Sequence, residues 1–335
     1  MTHPGRLYEL FRLPCATPHP SQVSHQCASR PKGGALGALG ASILKTRITG
    51  IAVLVAGTVL TSGALTTSAQ AASAPAVPKI AAAGGFVMNN GTGKSLFTKA
   101  ADTRRSTGST TKIMTAKVVL AQSGLNLNSK VTIQKAYSDY IVKNNASSAR
   151  LIVGDKVTVR QLLYGLMLPS GCDAAYALAD KFGSGSTRTA RVNNFIAKMN
   201  KSAKDLGLKN THFDSFDGIG NGKNYSTPRD LTKIASSAMK NSTFRSVVKT
   251  KSTKQKVTTK TGGYRYMSWS NTNTLLGSYS GAIGVKTGSG PEAGYCLVFA
   301  ATRSGKTVIG TVLKSTSVNA RTSDAKKLMD YGFKK

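Results

Sequence analysis

Three short motifs in this 335-residue sequence combine side chains that can carry out acyl transfer. Ser109-Thr110-Thr111-Lys112 places a hydroxyl and an amine three residues apart, and on a helix such a pair lies on one face within reach of a shared proton. Ser170-Gly171-Cys172 adds a second hydroxyl on a turn between two predicted helices. Lys286-Thr287-Gly288 ends a predicted apolar strand, where a cation and a hydroxyl can hold a carboxylate and the glycine lets a ligand approach the backbone.

The serine–lysine spacing is weakly specific by itself. Ser109 differs from other matches because Lys112 opens Ile113–Ala121, a segment that is apolar nearly all round, and burial there favours the neutral amine that can accept a proton. We interpret the other serine–lysine matches as helix faces or loops: Ser237–Lys240, Ser246–Lys249 and Ser323–Lys326. A second Lys-Thr-Gly motif, Lys260-Thr261-Gly262, lies in polar sequence without a predicted strand.

The scarcity of histidine and glutamate narrows the chemistry. After residue 71 the chain contains one histidine, His212, and one glutamate, Glu292. No G-x-S-x-G motif accompanies His212, which we interpret as a structural side chain, and a histidine-based zinc site has too few ligands. A serine enzyme built from this sequence therefore needs a lysine base, and we expect no metal and no cofactor.

The positive charge predicts anionic partners. Lys and Arg number 46 against 13 acids, which gives a formal net charge of +33, and the bases are spread along the chain. No Cys/His finger, aromatic-flanked RNA motif or heptad zipper accompanies them, so we expect no nucleic-acid partner. Electrostatic association with an anionic cell envelope fits the same charge.

The N-terminal segment resembles a secretory signal. Lys45 and Arg47 precede an apolar run, Ile48–Leu65, that is followed by Ala69-Gln70-Ala71. We predict cleavage after Ala71 and an exported, extracytoplasmic protein, either secreted or peripherally bound to the outer face of the cytoplasmic membrane. The alternative is an uncleaved membrane anchor, for which the apolar run is barely long enough.

Too few cysteines remain after the predicted cleavage to form a disulfide framework. Cys15 and Cys27 precede the predicted cleavage, which leaves Cys172 and Cys296. A single disulfide between these two cysteines is an alternative, but we favour two free thiols because Cys172 lies beside a proposed catalytic serine.

The remaining patterns predict an α+β fold: an antiparallel sheet flanked by helices, built from both chain ends, with an inserted all-helical domain. We expect a leader and signal peptide over 1–71, two parts of the sheet domain over 72–114 and 251–335, and the helical domain over 115–250. Lys251–Asn273 is expected to form loops or short strands. The other expected strands are Gly85–Asn89, Ser95–Thr98, Gly281–Thr287, Tyr295–Arg303 and Lys306–Leu313. The other expected helices are Val159–Leu168, Ala174–Phe182, Asn193–Leu206, one from Ser226-Thr227-Pro228 to Met239, and Ser323–Tyr331.

The order S-x-x-K, S-x-N-like and K-T-G resembles the penicillin-binding proteins and serine β-lactamases. Over residues 79–335 the chain is similar to the low-molecular-mass D,D-peptidases, including the stretches Leu168-Pro169-Ser170-Gly171 and Ser226–Leu231. It looks most like the actinomycete-type exported D,D-transpeptidases, which also have Cys in the middle motif. Two positions depart from the wider pattern: Cys172 replaces Asn, and the usual Pro before Gly218 is absent.

This resemblance implies the catalytic roles of three residues. Lys112 would take the proton of Ser109, which attacks a D-Ala-D-Ala-terminated peptidoglycan stem peptide. Ser170 would pass a proton to the departing D-Ala. The acyl-enzyme would then pass to an amine or to water, and β-lactams would act as covalent inhibitors.

The resemblance also implies how the substrate is held. Lys286 would keep Lys112 neutral and attract the terminal carboxylate, which Thr287 binds beside Gly288. The backbone N–H groups of Ser109 and Ser289 would form the oxyanion hole. Cys172 would contact the substrate where Asn normally donates a hydrogen bond, although a thiol is a weak donor.

Three alternatives to a transpeptidase stay open on sequence alone. They are a D,D-carboxypeptidase, a wall-binding or β-lactam-sensing protein that only acylates, and a serine β-lactamase. Glu292 follows the third motif on a strand connection, where it does not match the glutamate that activates water in one β-lactamase class. Cys172 leads us to favour the transpeptidase.

The signal-peptide prediction can be checked directly. We expect N-terminal sequencing of the purified exported protein to start near Ala72, and high salt to release it from membranes because charge holds it there. Mature material that begins at Met1 would refute the cleavage.

Overall fold

The computed structural model describes residues 74–335. The strands are β1 (Gly84–Asn89), β2 (Ser95–Lys99), β3 (Lys130–Thr132), β4 (Lys156–Thr158), β5 (Ser252–Thr258), β6 (Tyr264–Ser270), β7 (Ala282–Gly290), β8 (Gly294–Arg303) and β9 (Lys306–Ser315). The helices are α1 (Lys112–Leu120), α2 (Lys135–Lys143), α3 (Val159–Met167), α4 (Cys172–Phe182), α5 (Arg188–Asp205), α6 (Pro228–Ala238), α7 (Ser242–Lys249), α8 (Leu275–Ser278) and α9 (Val318–Lys334). A 3₁₀ turn, Gly108–Thr111, precedes α1.

The central sheet joins both ends of the described chain, as the α+β prediction requires. Its strand order is β2-β1-β9-β8-β7, and every neighbouring pair is antiparallel. Alternate residues of β8 face opposite sides. Leu297 and Phe299 pack in the core with α9, whereas Val298 and Ala300 join the core shared with α1 and α6. The α+β class with an antiparallel sheet between helices is confirmed.

Helix α1 occupies the middle of the helical part. It packs against α3, α4, α5, α6 and α7. Its residues are buried on nearly every side, from Ile113 to Val119. This confirms the prediction from its apolar sequence, and it fixes the start of α1, where Lys112 lies, deep inside the protein.

The predicted all-helical insertion needs a correction. β3 and β4 lie within it, and they pair with β5 and β6 in a second antiparallel sheet of order β3-β4-β5-β6. Residues 252–270, expected as loops or short strands of the central sheet domain, therefore form a hairpin on the helical part. Val257, Met267 and Trp269 are its buried apolar side chains. Because few residues of this polar segment are apolar and buried, the alternating pattern of its strands is hard to recognise in the sequence.

Several element boundaries also differ from the sequence prediction, among them the start of α5, which is Arg188 rather than Asn193. Helix α9 begins at Val318, five residues earlier than expected, because the Ser317 hydroxyl accepts the Ala320 N–H and caps the helix. Helix α4 begins at Cys172 rather than Ala174. Ser109 lies on the 3₁₀ turn before α1.

The predicted leader, the signal peptide and the cleavage after Ala71 lie outside the described residues. Within residues 74–335, no helix is long and apolar enough to cross a membrane.

Asp173 in the first turn of α4 fixes the loop 147–151, which borders the cleft described below. Its carboxylate accepts the N–H groups of Ala149 at 2.8 Å and Leu151 at 3.1 Å, and the hydroxyl of Ser148 at 2.7 Å. The Asp173 side chain is 2% exposed. Because buried N–H groups require acceptors, this one carboxylate holds the loop against α4.

We expect Asp173→Ala to lower the free energy of unfolding by about 2 to 4 kcal/mol, because it leaves buried donors without an acceptor. Urea denaturation measures the change. Asp139→Ala is the control: Asp139 is exposed and pairs with Lys135 at 2.6 Å, so its loss should change stability by less than about 1 kcal/mol. Equal losses in the two variants would show that the Asp173 contacts do not hold the loop.

Candidate active site

A cleft of about 510 Å³ lies between the β7 edge of the central sheet and the helical part. It brings together residues from all three sequence motifs, which lie far apart along the chain. The predicted residues that line it are Ser109, Ser170, Thr287, Gly288 and Ser289. Lys112, Cys172 and Lys286 lie buried beneath them.

The Lys112 amine lies beside the Ser109 hydroxyl at the cleft floor. Its Nζ is 2.9 Å from Ser109 Oγ, 3.1 Å from the Asp217 carbonyl oxygen and 3.2 Å from Cys172 Sγ. The lysine is 0% exposed. Because it is shielded from water and touches the serine hydroxyl, the amine is placed to exchange a proton with that hydroxyl.

Close backbone packing holds the turn that carries Ser109. Gly218 has φ +96°, and a Cβ there would lie 2.0 Å from the Gly108 carbonyl oxygen, so only glycine fits. The Thr107 and Thr111 hydroxyls lie 2.8 Å apart, and the Asn224 amide donates to both. These contacts fix the turn before any substrate is present.

The middle motif presents its serine in a strained backbone conformation. Ser170 has φ +67°, which is uncommon for a residue other than glycine. The Ser147 hydroxyl donates to the Ser170 carbonyl at 2.6 Å and lies 3.5 Å from Cys172 Sγ. Ser170 Oγ is buried and has no hydrogen-bond partner among the described residues. It is therefore available to a ligand group in the cleft.

Burial raises the pKa of the Cys172 thiol, while the nearby Lys112 charge opposes that rise. The side chain is 0% exposed, and its Sγ lies 3.2 Å from the Lys112 amine. The thiol form is thus favoured, and it offers the site only a weak donor and a weak acceptor.

Lys286 lies within the sheet edge behind Thr287. Its Nζ donates to the Thr287 carbonyl at 3.0 Å, and the residue is 1% exposed. Burial lowers the pKa of Lys286 well below its ordinary value of 10.5, and the positive charges of Lys112 and Arg321 lower that pKa further. The resemblance to the penicillin-binding proteins predicts that Lys286 acts as a cation. In this buried position the protonated form is unfavourable unless a carboxylate lies nearby.

The hydroxyl of Thr287 faces the cleft from β7 and contacts the Thr272 hydroxyl at 2.6 Å. Ser289 follows on the same strand and packs against the Ser109 turn: a Cβ on Gly108 would lie 3.1 Å from the Ser289 nitrogen. Ser109 and Ser289 both line the cleft and therefore lie close to one another. The oxyanion hole formed by their backbone N–H groups stays a prediction.

Sequence reasoning missed several residues that shape this cleft. Asp217 contributes its carbonyl oxygen, and no side-chain pattern signals a backbone contact. Arg321 Nη1 donates to the Gly288 carbonyl at 3.2 Å and holds the end of β7, although α9 carries no motif. Ser147 and Thr272 likewise lie in segments without a recognisable signal. Asp217 stands at the position where the usual Pro is absent, which was the one available hint.

Residues that the sequence prediction set aside lie away from the Ser109 hydroxyl. His212 is exposed and pairs through its backbone with Tyr225. Lys260-Thr261-Gly262 forms the exposed turn between β5 and β6. Glu292 lines an adjoining cavity of about 290 Å³ rather than the main cleft. Of the other serine–lysine pairs, Ser246–Lys249 lies on α7 and Ser323–Lys326 on α9, whereas Ser237 lies on α6 and Lys240 follows that helix.

Metal chemistry finds no support in the donor set. No group of three or more His, Cys, Asp or Glu side chains that could hold a metal ion occurs between residues 74 and 335.

Cys172 and Cys296 are both buried, and neither forms a disulfide. This confirms the preference for two free thiols.

A serine with a buried lysine beside it, a second serine, and a Lys-Thr-Gly strand edge define an acyl-transfer enzyme of the serine type. The sequence profile of the D-alanyl-D-alanine carboxypeptidases, peptidase family S11, matches residues 68–317. The chain belongs to this family, which has the penicillin-binding protein fold.

Solved and curated relatives agree with this assignment. The chain is 76% identical over 283 residues to the D-alanyl-D-alanine carboxypeptidase of Streptomyces sp. strain K15, covering 83% of this chain and 97% of that protein. The crystal structure of the Streptomyces K15 DD-transpeptidase superposes with a TM-score of 0.77 at 80% identity, over 77% of this chain and 99% of that one. The D-alanyl-D-alanine carboxypeptidase DacF of Bacillus subtilis is 32% identical over 72% of this chain and 59% of its own length.

We expect Lys286→Met to show the energetic cost of the buried amine. Because the folded-state pKa of Lys286 is lowered, the unfolded chain binds more protons between that pKa and 10.5, so this group makes stability rise with pH in that window. The wild-type protein should therefore gain stability relative to Lys286→Met between pH 7.5 and pH 10, measured by urea denaturation. A constant difference between the two proteins would show that Lys286 is not held deprotonated.

Proposed function

We propose that this serine D,D-peptidase forms an acyl-enzyme on Ser109 with D-Ala-D-Ala-terminated peptidoglycan stem peptides and passes the acyl group mainly to an amine. The contact of 2.9 Å between Lys112 Nζ and Ser109 Oγ is the observation that carries the proposal. Transfer to water, the carboxypeptidase reaction, is the alternative outcome of the same intermediate.

In the acylation step, the Lys112 amine acts as the base and takes the Ser109 proton as Oγ attacks the penultimate D-Ala carbonyl. The N–H groups of Ser109 and Ser289 stabilise the oxyanion, a contribution of about 3 to 4 kcal/mol per donor in serine hydrolases. The C–N bond then breaks. Ser170 Oγ, which has no partner of its own among the described residues, donates its proton to the departing D-Ala amine and takes up the proton that Lys112 received from Ser109.

The terminal carboxylate of the substrate binds at the Lys-Thr-Gly edge. Thr287 Oγ1 donates to it, and its negative charge offsets the cost of protonating Lys286. Substrate binding and protonation of Lys286 are thereby coupled. A peptide without a free C-terminal carboxylate loses this interaction.

Cys172 supports transfer over hydrolysis. Asn at this position offers both a donor and an acceptor to the substrate backbone, and a buried thiol offers little of either. An acceptor amine brings its own binding energy to the second step, whereas water does not. The water reaction therefore suffers more from the missing hydrogen bond.

Export to the cell envelope completes the proposal. The charge of the chain and the signal-like segment before Ala72 support a location outside the cytoplasm, where peptidoglycan and β-lactams are met. β-Lactams would acylate Ser109 because they present a carboxylate and a reactive amide in the same relative positions as the substrate.

Covalent labelling tests the nucleophile. We expect benzylpenicillin to add to Ser109 alone, identified by mass spectrometry of the labelled peptide, and Ser109→Ala to abolish both labelling and release of D-Ala from a D-Ala-D-Ala peptide. Ser237→Ala removes the serine of a matching pair on α6 and should leave both unchanged. Label on Ser237 or Ser246 would overturn the assignment.

The Cys172→Asn variant tests the preference for an amine. We expect it to raise hydrolysis relative to transfer by up to about tenfold, the equivalent of one recovered hydrogen bond. The measurement is the partition of a D-Ala-D-Ala peptide between hydrolysis and transfer, with and without a glycine-type amine. An unchanged partition would place acceptor preference elsewhere in the cleft.

A further inference from the structure

The sheet formed by β3 to β6 exposes one face that the reaction above does not use. Even-numbered residues point outward from all four strands, whereas Val257, Met267 and Trp269 are buried on the opposite side. We name the outward set the Lys-Tyr face, and it consists of Lys130, Lys156, Lys254, Lys256, Tyr264 and Tyr266.

Tyrosine and lysine side chains of this face form an ordered ladder. Lys254 Nζ lies 4.6 Å from the centre of the Tyr266 ring, and Lys256 Nζ lies 4.0 Å from that of Tyr264. The two rings meet edge to face at 5.8 Å. Tyr264 and Tyr266 nevertheless remain 61% and 54% exposed. Because their positions are already set, a ligand can contact them with little further loss of side-chain entropy.

The charge of the face has one sign. The four strands contain no Asp or Glu. The nearest acid in sequence, Asp155 before β4, is buried and pairs with Arg265 at 2.9 Å. Four lysines on strands that carry no carboxylate favour an anionic partner.

The remaining outward residues of the hairpin carry hydroxyl groups: Ser252, Thr258, Ser268 and Ser270. Surfaces that dock on a bilayer insert Trp, Phe or aliphatic side chains such as Leu into the acyl region. The outward positions of β5 and β6 contain none of these. A hydroxylated polymer with carboxylates fits these donors and acceptors better than a lipid surface.

Strand β6, which carries both tyrosines of the Lys-Tyr face, ends beside the cleft. The Asn271 N–H, one residue after β6, donates to the Lys251 carbonyl at 2.8 Å. The next residue, Thr272, contacts Thr287 inside the cleft. A seven-residue strand spans about 20 Å, so the outward residues of β6 lie within about that distance of the cleft, measured along the strand.

We propose that the Lys-Tyr face is a second binding site, outside the cleft, for the glycan strand and neighbouring stem peptides of peptidoglycan. The inference rests on the proposed function, because the polymer that it binds is the one whose stem peptide reaches Ser109. Lysines pair with stem-peptide carboxylates, tyrosine rings pack on the sugars, and the serine and threonine hydroxyls share hydrogen bonds with them. The face retains the polymer while the cleft acts on one stem peptide.

The test is co-sedimentation of full-length mature protein with peptidoglycan sacculi stripped of secondary polymers. Ser109 is first blocked with benzylpenicillin, so that cleft binding does not contribute. We expect Tyr264→Ser/Tyr266→Ser to weaken binding at least about tenfold, and Lys254→Gln/Lys256→Gln to weaken it and reduce its dependence on salt. Lys327→Gln/Lys334→Gln on α9 removes the same charge elsewhere and should bind like the wild type.

Other results separate this inference from its alternatives. Each variant should react with benzylpenicillin within about twofold of the wild-type rate, because the substituted side chains lie outside the cleft. Equal binding of the tyrosine variant, or an equal loss in the α9 control, would overturn the proposal. So would hairpin variants that lose binding to anionic phosphatidylglycerol vesicles but keep binding to sacculi. Failure of the wild type to label at Ser109 would refute the proposed function instead, and the comparison of the variants on sacculi would then be made without the block.

Discussion

The burial of the Lys112 amine against Ser109 is the constraint on which the rest of the site depends. An amine removed from water needs polar partners, and here they are the Ser109 hydroxyl, the Asp217 carbonyl and the Cys172 sulfur. Each partner comes from a different segment: a 3₁₀ turn, a loop and the first residue of α4. The apolar surroundings of α1 keep water away, so the amine can only exchange its proton with groups in the cleft.

This constraint explains why the fold joins distant parts of the chain. The strand edge with Lys286 and Thr287 belongs to a sheet that closes only when β1 and β9 pair, and α1 is buried only when the inserted helices surround it. The second amine, Lys286, is then held near the first. Because a positive charge on Lys112 disfavours one on Lys286, a substrate carboxylate is the natural counter-charge when Lys286 takes up a proton, so that recognition and catalysis share one electrostatic arrangement.

The sequence was sufficient for the catalytic motifs, the buried helix α1, the strands β7 to β9 and the α+β class, because each has a strong period or a specific residue pattern. It was insufficient where the signal is weak or nonlocal. The Asp217 contact is made by backbone, Arg321 acts from a helix without a motif, and the β5–β6 hairpin shows one thin apolar face. The lowered pKa of Lys286 follows from its burial and, to a lesser degree, from its proximity to Lys112 and Arg321, and spacing along the chain reveals neither.

The most direct test of the account is the rate of acylation by benzylpenicillin in Lys112→Met, measured by stopped-flow at pH 7.5 beside the wild type. Met fills a similar volume and removes only the amine, and retention of the fold is checked by the thermal unfolding midpoint. If Lys112 is the base, acylation should fall by about 10² to 10⁴-fold. A folded variant that acylates Ser109 within a few-fold of the wild-type rate would contradict the central claim.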